Sequence, residues 1–218
     1  MKLNPMMTTV RSLLLIALSL LMAAACAKQE EQSFDAGIDY SVLPREVATR
    51  VAPGKVEVVE MFWYGCPHCF HFEPHIQKWL ANKPKDAEFV RIPAALNSNW
   101  VVHARAYYAA ETMGALDKLH EPLFHALNEQ RRKLYSEDAL VRFAASQGIN
   151  EAEFRKAMNS FYVNSKLRQS VDLGQKYMLD GVPMVIVNGK YKVSGQMAGS
   201  YERMIEIINY LVAQEAAR

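Results

Sequence analysis

Two cysteines, Cys66 and Cys69, enclose Pro67 and His68 in the stretch from Glu60 to Glu73, EMFWYGCPHCFHFE. Thiols at this spacing can form a redox-active disulfide, supply half of a zinc site or staple a loop. Zinc needs four ligands; His68, His71 and His75 share one predicted helix, and no second Cys-x-x-Cys or separated His pair completes a standard spacing, so no metal site is expected. A bridge closing so small a loop restricts the unfolded chain only modestly and makes a poor staple. Position favours redox chemistry. A β-rich run ends just before Cys66 and helical spacing begins at it, so the Cys66 sulfur would face the unpaired N–H groups and positive end of a helix. Both favour a thiolate and lower its pKa. Pro67 suits the first helical position, where its missing N–H has no intrahelical partner to lose. His68, protonated or donating a hydrogen bond, favours the thiolate further. Cys69 lies inside the turn and is the natural resolving thiol. Stabilising the thiolate stabilises the reduced pair, so the disulfide would oxidise other dithiols.

The elements that must hold this pair follow from periodicity. KVEVVEMFWYG, with Val56, Val58, Val59, Phe62 and Trp63, is too apolar for a half-exposed strand and reads as a central buried one. Phe70, Phe72, Ile76, Trp79 and Leu80 then recur at helical intervals up to a break near Pro84, with a kink expected at Pro74. AEFVRIPAAL is a second strand ending near Pro93. From Ser98 to about Leu179 the segments are amphipathic helices, with Ser136 and Asn150 as N-caps and Gly114 and Gly148 at helix ends: about four helices, then a long return helix through Lys176. VPMVIVNGKYKVSG is a hairpin turning at Asn188-Gly189, and Ser200 caps a final helix with Met204, Ile205, Ile208 and Leu211 on one face. A short edge strand is expected around Tyr40 to Leu43. This order gives an α/β chain with a thioredoxin-like fold and an inserted all-helical domain. The expected boundaries are 53–97 and 171–218 for the thioredoxin-like part and 98–170 for the insertion, with 26–52 a tether and edge strand.

The first 25 residues read as a signal peptide. A basic start precedes thirteen residues, Leu13 to Ala25, that are apolar apart from Ser19; this is short for a membrane span of about 20 residues and fits a secretory h-region. Ala23-Ala24-Ala25 suits an ordinary signal peptidase, while the Cys26 that follows resembles the lipobox cysteine of bacterial lipoproteins, with Ala23 where that motif usually has Leu. Lipidation of Cys26 and attachment to a membrane would follow from the second reading. The chain of 218 residues carries 25 Lys+Arg and 23 Asp+Glu; taking away Lys2 and Arg11 with the leader leaves 23 against 23. Such a balance offers no basic patch for nucleic acid. Half of the residues are hydrophobic, enough for one core with an elaboration.

Cys66-Pro67-His68-Cys69 after an apolar strand, the helical insertion, and Val182-Pro183 opening the late strand together resemble the DsbA family of bacterial thiol:disulfide oxidoreductases, over roughly Pro53 to Leu211. The resemblance implies a periplasmic enzyme that passes its Cys66–Cys69 disulfide to folding exported proteins with free thiols, through a mixed disulfide at Cys66. It implies no cofactor beyond that disulfide, and reoxidation by a quinone-linked membrane protein of the DsbB type. It makes Pro183 a cis-proline facing the disulfide, with Val182 offering backbone groups to an extended substrate. Glu60 and Glu73 match acidic positions near the family's thiols. Glu60 is either buried beneath Cys69, taking up a proton during exchange, or simply an acid at a strand end. Where family members often carry a lysine on the next strand, this sequence has Phe89-Val90-Arg91-Ile92. His71, His75, His103, His120 and His125 read as surface or packing residues. Two other functions use the same fold: a disulfide isomerase or reductase, and a non-catalytic chaperone gripping peptides around Pro183. Isomerases usually add an N-terminal dimerisation domain, and about 25 residues between Cys26 and the first strand favour a monomeric oxidase.

Overall fold

The computed structural model describes residues 33–218; the expected signal peptide and Cys26 lie outside them. Strand β1 (Ser41–Val42) sits at one edge of a five-stranded sheet. It is followed by β2 (Val56–Phe62), helix α1 (Pro67–Asn82) and β3 (Ala87–Pro93). Five helices come next: α2 (Ser98–Thr112), α3 (Leu116–Asn128), α4 (Glu137–Ser146), α5 (Glu151–Met158) and α6 (Phe161–Lys176). The chain closes with β4 (Met184–Val187), β5 (Tyr191–Ser194), the short α7 (Gly195–Ala198) and α8 (Tyr201–Ala216). The sheet order is β1-β5-β4-β2-β3, with β2 and β3 parallel and the other pairs antiparallel. This is the thioredoxin-like arrangement with helices between its two halves.

All seven residues of β2 are buried, as its unbroken apolar reading requires of a strand covered on both faces. Its alternation divides two cores. Val56 and Val58 point to the layer with Phe72, Ile76, Met204, Ile208 and Leu211 of α1 and α8. Val59 and Met61 point to the opposite layer, with Leu173 and Tyr177 at the end of α6. Glu60 shares the α1 face. In α8 it is Ile207, not Ile205, that is fully buried alongside Ile208, because the helix is also covered from the side of Phe34.

The five helices enclose a third core that reaches the end of β2 at Phe62. Here α2 departs from its amphipathic reading: Ala104, Ala106 and residues 107–110 are all buried, because α2 packs against α3, α5 and α6 at once. Its small alanines allow that approach from several sides. α6 serves two layers, with Leu167 in the helical core and Leu173 against the sheet. Asn97, Ser136, Asn150, Ser160 and Ser200 each accept an N–H at a helix start, a bond worth about 1 kcal/mol apiece. The hairpin turns where expected: Asn188 and Gly189 both have positive φ and Lys190 N–H returns to the Val187 carbonyl, the twist that favours close antiparallel strands. Gly189 is required for space as well, since a Cβ there would lie 1.9 Å from the Val47 carbonyl oxygen.

Candidate active site

β2 ends at Phe62, and four residues carry the chain across to α1. Cys66 is the N-cap, with extended backbone (φ −92°, ψ 116°), and Pro67 opens the helix. The Cys66 N–H bonds the Trp63 carbonyl at 3.0 Å, and the Cys66 carbonyl takes the first helical N–H, from Phe70, at 3.0 Å. Gly65 has no room for a side chain: a Cβ would come within 2.4 Å of the Trp63 indole. That indole is fixed in turn. It stacks on Trp100 at 4.7 Å and donates its N–H to His103 Nδ1 at 3.0 Å. Since Nδ1 accepts, the His103 proton is on Nε2, which donates to the Leu134 carbonyl at 2.8 Å. Burial holds this ring neutral, with its pKa down to about 4.

Both thiols are in the reduced form. Cys66 retains 9% of its exposure and Cys69 none. The Cys66 thiol donates to the Val182 carbonyl at 3.3 Å, and the Val182-Pro183 peptide is cis. Val182 itself precedes β4, which begins at Met184. A groove of about 1050 Å³ opens beside this contact, bordered by His68, Val182, Pro183, Ser194, Met197 and Tyr201.

The two sulfurs are pushed in opposite directions. Cys66 falls to about 6, first because the Cys69 thiol can donate to it, then because the N–H groups of Cys69 and His68 face it and His68 attracts it; burial opposes the shift without cancelling it. As a thiol Cys66 makes no side-chain cap bond, so the helix end rewards the ionised form alone. Cys69 is held well above its ordinary value, chiefly by burial, then by its tie to Cys66 and the charge of Glu60. The helix terminus and His68 were readable from sequence; the leading contribution of Cys69 was not.

Beneath α1 lies a polar cluster in an apolar layer. Register sets Arg91 of β3 beside Glu60 of β2, and the guanidinium donates from Nε to Glu60 Oε2 at 2.8 Å. Its Nη2 donates to both oxygens of Glu73 at 3.1 and 3.0 Å. Its Nη1 lies 2.8 Å from His120 Nε2. An arginine can only donate, so Nε2 accepts, the imidazole is neutral, and Nδ1–H points to the Tyr64 hydroxyl at 2.7 Å. Burial lowers the His120 pKa in agreement. The chain Glu60–Arg91–His120–Tyr64 thus runs from the central strand, through the helical insertion, to the residue two before Cys66. Asn128 of α3 adds a bond to the Tyr64 carbonyl at 2.8 Å.

The two acids differ. Burial also works against the charge of Glu73, but the Arg91 guanidinium, bonded to both of its oxygens, and the Gln77 amide outweigh it and hold the carboxyl down to about 2. Glu60 is raised, because burial and the neighbouring Glu73 outweigh Arg91. One of its oxygens, Oε1, is buried without a partner among the described residues, leaving a place for a proton. Glu60 is therefore a buried acid and not a strand-end one.

The residues singled out from sequence, Glu60, Cys66, Pro67, His68, Cys69, Val182 and Pro183, meet around one strand end and groove. Arg91 supplies the cation beside Glu60, and the β2–β3 register was the signal that could have found it. His120 and His103, read as packing residues, are buried hydrogen-bonded connectors. Among the described residues no cluster of three or more metal-ligating side chains is formed, and no helix is long and apolar enough to cross a membrane.

Comparison with known proteins decides the family. The model for the DSBA-like thioredoxin domain matches residues 88–201. The thiol:disulfide interchange protein DsbA of Pseudomonas syringae pv. tomato is 38% identical over 203 residues, covering 93% of each chain. The chain belongs to the DsbA family. A second DsbA, from Pseudomonas aeruginosa, is 34% identical over 207 residues, covering 95% of this chain and 98% of the relative. A crystal structure of Pseudomonas aeruginosa DsbA matches with a TM-score of 0.80 and 37% identity over 84% of this chain and 95% of that one. DsbA from Xylella fastidiosa gives 0.79 and 33% over 86% and 100%. As a DsbA-family member the chain carries this fold over its whole described length, and the family model's match begins after Cys69, so the dithiol geometry rests on the structure itself.

Proposed function

We infer that this protein is a thiol:disulfide oxidoreductase that donates the Cys66–Cys69 disulfide to exported proteins still carrying free thiols. One observation carries the reading: the two sulfurs of one motif are shifted oppositely, with Cys66 at about 6 and Cys69 far higher. A substrate thiolate attacks the Cys66 sulfur of the oxidised protein, the Cys66–Cys69 bond breaks, and Cys69 leaves as a thiolate in a buried place that disfavours it. It must gain a proton, and Glu60, raised and with a free oxygen, is the group we assign to supply it. A second substrate thiol loses its proton to solvent and attacks the substrate sulfur bound to Cys66. Cys66 then departs as the favoured thiolate. The substrate gains one disulfide, and the protein ends with a Cys66 thiolate and a Cys69 thiol.

Val182 supplies backbone groups beside the reacting sulfur, suited to an extended substrate segment. His68 and Pro67 act at the same rim, one by charge and one by fixing the helix start. The printed name of the relatives, thiol:disulfide interchange protein, supports the reaction class. Three further parts of the proposal follow the family resemblance: a periplasmic location, reoxidation by a quinone-linked DsbB-type membrane protein, and no added cofactor. A lipid on Cys26 is proposed from the lipobox-like Ala23-Ala24-Ala25-Cys26, and a monomeric working form from the short stretch between Cys26 and the first strand.

The test is the equilibrium of the Cys66–Cys69 couple against glutathione, together with oxidation of a reduced, unfolded protein substrate. A couple more oxidising than glutathione, and complete loss of turnover in Cys66→Ser, are expected. A reducing couple would overturn the donor assignment in favour of a reductase. Turnover surviving in Cys66→Ser would favour a non-catalytic binder.

A further inference from the structure

His68 is exposed and could be expected to wander through its rotamers at the mouth of the groove. It is held instead. Its Nδ1 lies 3.2 Å from the phenolic oxygen of Tyr201, which is 133 residues away in sequence. Tyr201 opens α8 directly after the Ser200 cap, whose hydroxyl accepts the Arg203 N–H. The Tyr201 ring is itself seated, with its centroid 5.6 Å from Phe72 and 5.4 Å from His75. It borders the same groove as Val182 and Pro183.

We propose that Tyr201 is a positioning residue for disulfide exchange, acting on Cys66 through the His68 imidazole. This inference rests on the donor reading above and adds to it a residue outside the cysteine motif. A phenol hydroxyl suits the task because it rotates: it donates to Nδ1 of a neutral imidazole and accepts from Nδ1–H of a charged one. The ring therefore stays in place in either form. A tethered imidazolium keeps its charge near the sulfur, whereas a free one spends its time in solvent, where the attraction is weaker and screened.

The other charged groups nearby are already engaged. Glu202 of α8 lies 3.7 Å from His75 Nδ1, and Lys192 pairs with Asp180 at 3.0 Å across the groove. Tyr201 stays neutral in this setting, its pKa raised by burial and by Cys66 and Cys69.

The experiment is a double-mutant cycle on the full-length mature protein, using Tyr201→Phe, His68→Ala and the pair. Phenylalanine keeps the ring on Phe72 and the wall of the groove, and removes only the hydroxyl. The readouts are the thiolate absorbance of Cys66 across pH and the equilibrium with glutathione. In Tyr201→Phe the Cys66 midpoint should rise by about half a pH unit, and the equilibrium should move about threefold toward a weaker oxidant, the scale of one modest hydrogen bond. In the His68→Ala background the second substitution should change nothing further. The 15N resonance of His68 Nδ1 should also shift on loss of the hydroxyl. An unchanged midpoint in Tyr201→Phe, or a shift that persists without His68, would overturn the proposal. Failure of the donor reading shows separately, as a wild-type couple that is reducing; the Tyr201 assignment would still stand or fall on the cycle.

Discussion

Above the dithiol, Cys66 meets a carbonyl, the N–H groups of a helix start and an exposed histidine at the edge of a groove. Below it, Cys69 meets a buried layer that nonetheless contains two carboxyls, a guanidinium, an imidazole and a phenol. The rim is open to solvent; the floor is closed, and its guanidinium is committed to two carboxyls and an imidazole. Two chemically identical thiols, one helical turn apart, are driven in opposite directions by this difference in depth. Motif spacing creates the pair, and burial makes it asymmetric.

Four substitutions or measurements would break or sharpen that contrast. The largest effect belongs to Arg91→Met, which leaves Glu60 and Glu73 buried without their cation. Loss of one partner from a buried ion cluster costs about 3–5 kcal/mol, read as a lower denaturant midpoint at pH 7, and the deficit should shrink as acid protonates the carboxyls. Next comes alkylation. With a midpoint of about 6, Cys66 should react with iodoacetamide readily at pH 7, while Cys69 in the folded protein should react at least about a hundredfold more slowly, given its burial and raised pKa. Comparable rates at the two sulfurs would remove the asymmetry.

The acid limb of stability separates the two carboxyls. Glu73 has a folded value of about 2, below its ordinary 4.5, so its contribution is complete above about 4.5 and is lost as pH falls toward 2. Glu60 is shifted the other way, so its ionisation weakens the fold at neutral pH and its protonation offsets part of the acid loss. Glu73→Gln should flatten the acid limb of thermal stability, and Glu60→Gln should steepen it. The smallest effect is expected for Trp63→Phe, which leaves His103 Nδ1 without its donor. A loss of about 1–2 kcal/mol is expected by chemical denaturation, with the Cys66 midpoint close to that of the wild type, because the indole acts on the floor of the loop and not on the sulfur.

Much of the site was legible in the sequence because it is local. A helix start places Cys66, Pro67, His68 and Cys69 by spacing alone, and the unbroken apolar run of β2 announces a central strand. The hairpin at Asn188-Gly189 and the caps at Ser136, Asn150 and Ser200 were readable for the same reason: each depends on a few neighbouring residues. What periodicity misjudged was α2, where burial from several sides erased the amphipathic stripe, and the histidines, where residue type gives no account of partners.

The sequence by itself determined the order of elements, the dithiol at a strand-to-helix junction, and the thiol that should be the more acidic. Tertiary structure alone decided that Arg91 completes the acidic pair, that His120 carries that cluster to Tyr64, and that Tyr201 meets His68. The physical reason is separation along the chain. Backbone propensity and periodicity act over a few residues, whereas these contacts join positions 18 to 133 residues apart, and are fixed only when strand register and helix packing bring them together.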